Sequence, residues 1–213
     1  MPRHFTEVEK KKIREELRKA ARKLFIKFGL SKTTIMDITK EVRIGKGSFY
    51  QFFNSKGDIF LDVYQIEREN IVRRILAMHA GREGDLTAKL EHFIQDLIAI
   101  LNNNPILRLM YEPGALDAIM DKAVEVRLAE YNKKTNRALM SVIDGWLGDK
   151  TDSHEAAIIV GILRGITMLR HHISAIGPEV YEDVIRTLIG FAVSGVSERL
   201  KSRALLASSA RSS

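Results

Sequence analysis

Along most of the 213-residue chain, apolar side chains recur three and four residues apart, the period of a helix with one buried face. Strand signals are nearly absent: no β-branched run alternates with polar residues, and no Asn-Gly or Asp-Gly turn joins two such runs. The pattern predicts an all-α chain of about nine helices. Thr6 with Glu9 three residues later opens the first as a capping box. Ile13, Leu17, Ala20, Leu24 and Phe28 form its apolar stripe, Lys11, Lys12, Arg18 and Arg22 lie on its solvated face, and Gly29 stops it. Thr34 and Asp37 cap a short second helix with Ile35, Ile38 and Val42 inward, followed by a break at Arg43-Ile44-Gly45. A third short helix spans about 46–53, and Ser55 with Asp58 caps a fourth reaching about 79. Further helices are expected near 85–103, 105–111, 114–121, 122–147, 153–176 and 179–203. The last two are apolar nearly all round and need neighbours on both sides. No internal repeat is evident, and the small, Ser-rich stretch 204–213 is expected to be a disordered tail.

With 45% apolar and 29% charged residues the chain can bury a core. Its formal charge is +7, but the distribution says more than the sum. Residues 1–58 hold 15 basic and 7 acidic side chains, and the rest of the chain is close to neutral. The absence of cysteine excludes disulfides, a thiol nucleophile and a Cys-ligated zinc. No stretch approaches the roughly 18 apolar residues of a membrane span, and the charged N-terminus lacks the apolar core of a secretion signal. The expectation is a soluble, cytoplasmic protein with no membrane partner.

Two short helices joined by a tight turn, a helix before them and a local excess of positive charge suggest a helix-turn-helix reader of double-stranded DNA. The third helix has two faces. Phe49, Phe52 and Phe53 fall together and are expected in the core, while Lys46, Gly47, Tyr50 and Gln51 face outward. Gly47 permits close backbone approach, Lys46 can reach a phosphate or a guanine, and Tyr50 and Gln51 can donate to phosphates or base edges. Thr33 and Thr34 before the second helix, and Ser55 and Lys56 at the start of the fourth, stand at helix N-termini, where free amides favour phosphate.

The ordered set Thr33-Thr34-Ile35-Met36-Asp37-Ile38, Gly45-Lys46-Gly47-Ser48-Phe49-Tyr50-Gln51-Phe52-Phe53 and Ser55-Lys56-Gly57-Asp58 resembles the TetR family of repressors over roughly residues 8–60. The resemblance implies a helix-turn-helix DNA-binding domain over 1–54 and a larger helical ligand-binding and dimerisation domain over 55–203. It implies an Ω-shaped homodimer on a palindromic operator, with a small-molecule effector altering the spacing of the two reading heads. By position, Lys46, Gly47, Ser48 and Gln51 would approach bases, and Thr33, Thr34, Tyr50 and Lys56 would hold phosphates. The chain departs from the family pattern at Arg43, where the turn usually has Gly; at Gly45, where a Ser cap is usual; at Gln51, often His; and at Gly57, often Glu. A left-handed Arg43 would carry strain of order 1 kcal/mol.

In the body of the chain the readings stay open. Phe93, Met110, Tyr111, Met140, Trp146, Met168 and His172 are core by default and candidate walls of an effector pocket. Gly161, Gly165, Gly190 and Gly195 each cost about 1 kcal/mol in a helix. They indicate close backbone approach, either across a four-helix dimer interface or within one chain. Arg164, Arg170, His171 and His172 in an apolar helix need partners, through salt bridges or through a ligand. The six histidines lack metal-ligand spacing, so neither a metal nor a cofactor is expected. No phosphate loop, nucleophile elbow or carboxylate pair supports an enzyme. A regulator and a nucleic-acid binder without sequence preference share the basic head; a specificity ratio separates them.

Overall fold

The computed structural model describes residues 5–110, 112, 114, 117, 119–147 and 153–211, without the side chains of 153, 155, 156, 170, 171 and 203–211. Ten α-helices and no strand are present among the described residues. They are α1 (Glu7–Lys32), α2 (Ile35–Val42), α3 (Lys46–Phe49), α4 (Lys56–His79), α5 (Leu86–Asn103), α6 (Pro105–Leu109), α7 (Lys122–Leu147), α8 (Ser153–Met168), α9 (Ile173–Ile176) and α10 (Tyr181–Arg211).

The chain folds as two compact units. The first comprises residues 1–69 and 104–131, and the second residues 70–103 and 132–213, so α4 and α7 each contribute to both. The expected split at 54/55 divides the chain by function; the compact units divide it by packing.

In the first unit, both capping boxes form. The Thr6 hydroxyl accepts from Glu9 N while the Glu9 carboxylate accepts from Thr6 N, and Thr34 and Asp37 repeat the arrangement on α2. The buried stripe of α1 is Leu17, Ala20, Ala21, Leu24, Phe25 and Leu30. Phe28, expected inward, is exposed with the Lys27 ammonium over its ring, and Phe25 takes the core position. Gly29 leaves helical geometry at φ 78°, ψ 169°, and a last turn follows it to Lys32. Pro105 opens α6 at a first-turn position, where a missing N–H costs nothing.

The expected helix at 114–121 does not form at its described residues. Gly114 has φ +71°, and Gly114, Asp117 and Ile119 lie in turns. In the second unit α5, α8 and α10 pack on one another. The helix expected over 153–176 is interrupted. After Met168 the backbone tightens into a 3-10 turn at Leu169–His172, and His172 leaves helical values before the short α9. Conversely α10 runs past 203 to Arg211, because Ala204-Leu205-Leu206-Ala207 are good helix formers.

Candidate DNA-reading surface

α3 is shorter than the spacing suggests. Phe49 O accepts from both Phe52 N (2.9 Å) and Phe53 N (3.1 Å), so the backbone tightens into a turn after Phe49. The division of faces is as expected. Phe49, Phe52 and Phe53 are buried, with Phe49 and Phe53 ring centroids 5.8 Å apart. Lys46, Gly47, Tyr50 and Gln51 are exposed and Ser48 is half-buried. Tyr50 keeps 51% of its surface, its ring edge-on to Phe49. The side-chain polar groups of Lys46, Ser48, Tyr50 and Gln51 have no hydrogen-bond partner among the described residues, so they are free to meet something outside the chain. An added Cβ at Gly47 would meet nothing within 4 Å, so the constraint on this glycine does not come from the chain itself.

The turn before α3 is where the fold carries strain. Arg43 has φ 59° and ψ 39°, the left-handed region, and is the single positive-φ residue other than glycine among those described. Its N–H closes α2 onto Lys40 O and Thr39 O, and its side chain is exposed. The αL conformation is what a Gly in this turn provides without steric cost.

Four expected phosphate ligands meet different fates. Tyr50 is free. Thr34 is exposed, but its hydroxyl and N–H are engaged with Asp37 at 2.6 and 2.9 Å. These bonds hold the Asp37 carboxyl below its usual range, so an anion already occupies part of the α2 N-terminus. Thr33 is buried, its hydroxyl 2.8 Å from Gly29 O and 3.2 Å from Leu24 O; it closes α1 instead of facing solvent. Lys56 Nζ donates to Leu30 O at 2.7 Å, and burial pulls its pKa below the ordinary lysine value. This ammonium ties the start of α4 to the end of α1. Around it, Ser55 Oγ accepts from Asp58 N (3.0 Å) and Asp58 accepts from Asn54 N (2.9 Å), completing the cap of α4.

Several supporting residues carry no short sequence signal. Arg14 Nη1 donates to Phe52 O at 2.8 Å and its guanidinium lies 4.3 Å from the Phe53 ring centroid. Arg14 and Arg18 both bind Asp62, and Arg22 binds Glu67. These arginines are therefore cross-links between α1 and α4; Arg18, expected on the solvated face, is half-buried, and Arg22 stays exposed while paired. The periodicity of α4 hides its acidic partners, which appear only when the two helices are laid side by side. Lys11, Lys12, Lys40, Arg43 and Lys46 are among the exposed cations of this unit. Arg127 binds Asp58, and the Tyr131 hydroxyl donates to Gln65 O at 2.7 Å, so the first turns of α7 brace α4 from another side.

The candidate effector residues do not converge as one group. Phe93 and Trp146 do meet, with ring centroids 5.9 Å apart, and both pack on the buried His79 ring. Met140 is buried, whereas Met168 and His172 are exposed, and Met110 belongs to the first unit. Tyr111 lies outside the described residues. The four interface glycines resolve one alternative. A Cβ at Gly161, Gly165, Gly190 or Gly195 would meet nothing within 4 Å, so close packing inside the chain does not require them. All four lie on exposed helix faces, with Ile162 and Met168 beside the first pair and Phe191, 71% exposed, beside the second.

The profile of bacterial regulatory proteins of the tetR family matches residues 17–63, which span the helix-turn-helix and the start of α4. An uncharacterized HTH-type transcriptional regulator of Lactococcus lactis subsp. lactis is 28% identical over 163 residues, 74% of this chain and 83% of that protein. The probable acrEF/envCD operon repressor of Escherichia coli K12 is 26% identical over 171 residues, 76% of this chain and 77% of its own. Among solved structures, that of RolR in complex with resorcinol superposes with a TM-score of 0.62 at 16% identity, covering 93% of this chain and 96% of that one. No described helix is long and apolar enough to cross a membrane. The matched segment is the one whose outward face the fold leaves unpaired: residues 17–63 carry the DNA-binding segment of the tetR family of bacterial regulatory proteins, and over about three quarters of its length the chain is similar to transcriptional regulators, which are not enzymes.

Proposed function

We propose that this regulator is a cytoplasmic repressor that binds a palindromic operator as a homodimer and responds to a small, largely apolar effector. The observation that carries the proposal is the uncommitted outer face of α3. Lys46, Gly47, Ser48 and Gln51 approach base edges, and Tyr50 holds a phosphate. Lys56 and Thr33 act on DNA indirectly, by fixing the α1, α2 and α4 ends that frame α3, while the Thr34 hydroxyl shares its bonds between Asp37 and a phosphate.

Dimerisation is supported by the exposed glycine faces of α8 and α10, two helices that pack on each other through other residues within one chain. Such a face, lined by Phe191, Ile162 and Met168, suits a second copy in a four-helix arrangement. Effector response is supported by the likeness in fold to RolR, whose structure holds resorcinol, and repression by the similarity to an operon repressor.

Selection of the purified protein against random duplex DNA tests the proposal. The expected outcome is a palindrome whose half-sites lie about one helical turn apart. Binding that fades with salt and enriches no sequence would refute it, since phosphate contacts alone give affinity without preference.

A further inference from the structure

Between α2 and α3 the chain bears a cost that nothing inside it offsets. Arg43 holds φ 59° and ψ 39°, where its Cβ crowds the following carbonyl and where glycine would sit freely. Its side chain nevertheless stays in solvent and makes no hydrogen bond or ion pair among the described residues. The nearby acids are engaged elsewhere. The Asp37 carboxylate accepts from the Thr34 N–H and hydroxyl, and Glu41 pairs with Lys23 at 3.1 Å. Backbone strain of this kind concentrates where a chain meets a ligand.

The neighbours of Arg43 say which ligand. Lys40, Arg43 and Lys46 are all exposed and stand three residues apart, so a line of cations leads from the last turn of α2 to the first residue of α3. At most about 11 Å of chain separates Arg43 from Lys46. When the outer face of α3 enters a major groove about 12 Å wide, the chain just before the helix comes to the phosphate rim and not to the groove floor. The planar fork of a guanidinium matches a phosphate at that rim.

Resting on the DNA-reading face proposed above, we propose that Arg43 is a further DNA-binding residue, its guanidinium taking a backbone phosphate beside the groove that α3 reads. The contact adds affinity on any sequence; discrimination stays with Lys46, Gly47, Ser48 and Gln51. Arginine at 43 thus exchanges stability for binding, whereas glycine would relieve the backbone and forfeit the phosphate.

The test measures binding of the full-length protein to its selected operator and to a scrambled duplex, between about 50 and 200 mM salt. Arg43→Gly removes charge and strain, and Arg43→Ala removes the charge alone. Arg43→Asn removes the charge with a side chain that tolerates the left-handed region without the freedom of glycine. Arg43→Lys keeps both charge and strain. The three neutral variants are expected to bind both duplexes about tenfold more weakly per reading head, with the salt slope lowered by about one per head. Arg43→Lys should keep the slope and most of the affinity. Arg43→Gly should bind more weakly although its α1–α3 amides exchange more slowly, an opposition that a purely structural role does not produce. Wild-type affinity and slope in Arg43→Gly and Arg43→Asn would overturn the assignment. So would a loss in Arg43→Lys as large as theirs, or a loss confined to the operator, which would make Arg43 a base reader. The scrambled duplex alone carries the test if no operator is selected. If the wild-type protein binds neither duplex, the reading face and this contact fall together; if it binds and the neutral variants match it, only the contact falls.

Discussion

Replacing Arg43 by glycine should stabilise the first unit, and the size of the gain follows from its backbone. At φ 59°, ψ 39° an L-residue sets its Cβ against the following carbonyl, at a cost of about 1–2 kcal/mol that glycine does not bear. Glycine also loosens the unfolded chain, which returns about 0.5–1 kcal/mol of the gain. The Arg43 side chain is exposed and forms no hydrogen bond or ion pair among the described residues, so its removal subtracts little. The net expectation for Arg43→Gly is about 0.5–1 kcal/mol of added stability.

Arg43→Ala is the control, because it removes the guanidinium and keeps the strain. The assay must look at the right unit. Trp146, the only tryptophan, belongs to the second unit, so its fluorescence reports on a part of the molecule the mutation does not touch. Hydrogen exchange of the α1, α2 and α3 amides reads the strained region directly. Up to about fivefold slower exchange in Arg43→Gly than in Arg43→Ala corresponds to the expected energy. If the glycine and alanine variants exchange alike, the left-handed turn stores no strain and the argument fails.

The other predictions address separate contacts. Gly57→Ala should destabilise the fold by about 1–3 kcal/mol, since the added carbon would overlap the Ile119 carbonyl and crowd Val124; an unchanged urea midpoint would show that the 112–121 segment yields freely. Tyr50→Phe should weaken DNA binding by about 1 kcal/mol on every sequence, the worth of one ordinary hydrogen bond, and unchanged affinity would remove its phosphate role. Gly165→Leu should convert the proposed dimer to monomer in sedimentation, and a variant that still sediments as a dimer would place the interface elsewhere. His79 is fully buried, and burial holds its pKa below the usual 6.5 despite Asp96 at 3.0 Å from Nε2. The unfolded chain therefore takes up a proton that the folded one refuses, and stability falls as pH drops below about 6.5. His79→Gln should flatten that loss, read by Trp146, whose indole N–H donates to His79 O; identical pH profiles would refute it.

The helices over 7–110 were legible because each depends on side chains close in sequence: a cap at Thr6 or Thr34, a stripe at every third or fourth residue, a proline at the first turn of α6. The outer and inner faces of α3 were legible for the same reason. What could not be read depends on who lies opposite. Arg18 and Arg22 look like part of a solvated stripe until Asp62 and Glu67 of α4 stand beside them. Lys56 looks like a phosphate ligand until the end of α1 presents the Leu30 carbonyl. Thr33 looks like a helix start but turns inward, because Gly29 leaves its own carbonyl within reach.

Two of the departures from the family pattern, at 43 and 57, show how that limit works. At 43 the pattern has Gly and this chain has Arg, and the backbone nevertheless adopts the left-handed turn. The turn is thus imposed by the packing of α2 on α1 and of α3 on α2, not by the residue occupying it. At 57 the pattern often has Glu and this chain has Gly, where the Ile119 carbonyl leaves no room for a β-carbon. In one place tertiary contacts override a side chain that resists; in the other they select the only side chain that fits. Both predictions probe the same hierarchy. If Arg43→Gly relaxes the turn without moving α3, and Gly57→Ala displaces the 112–121 segment before it displaces α4, then the reading head is held by its framing helices, and its turn residues follow.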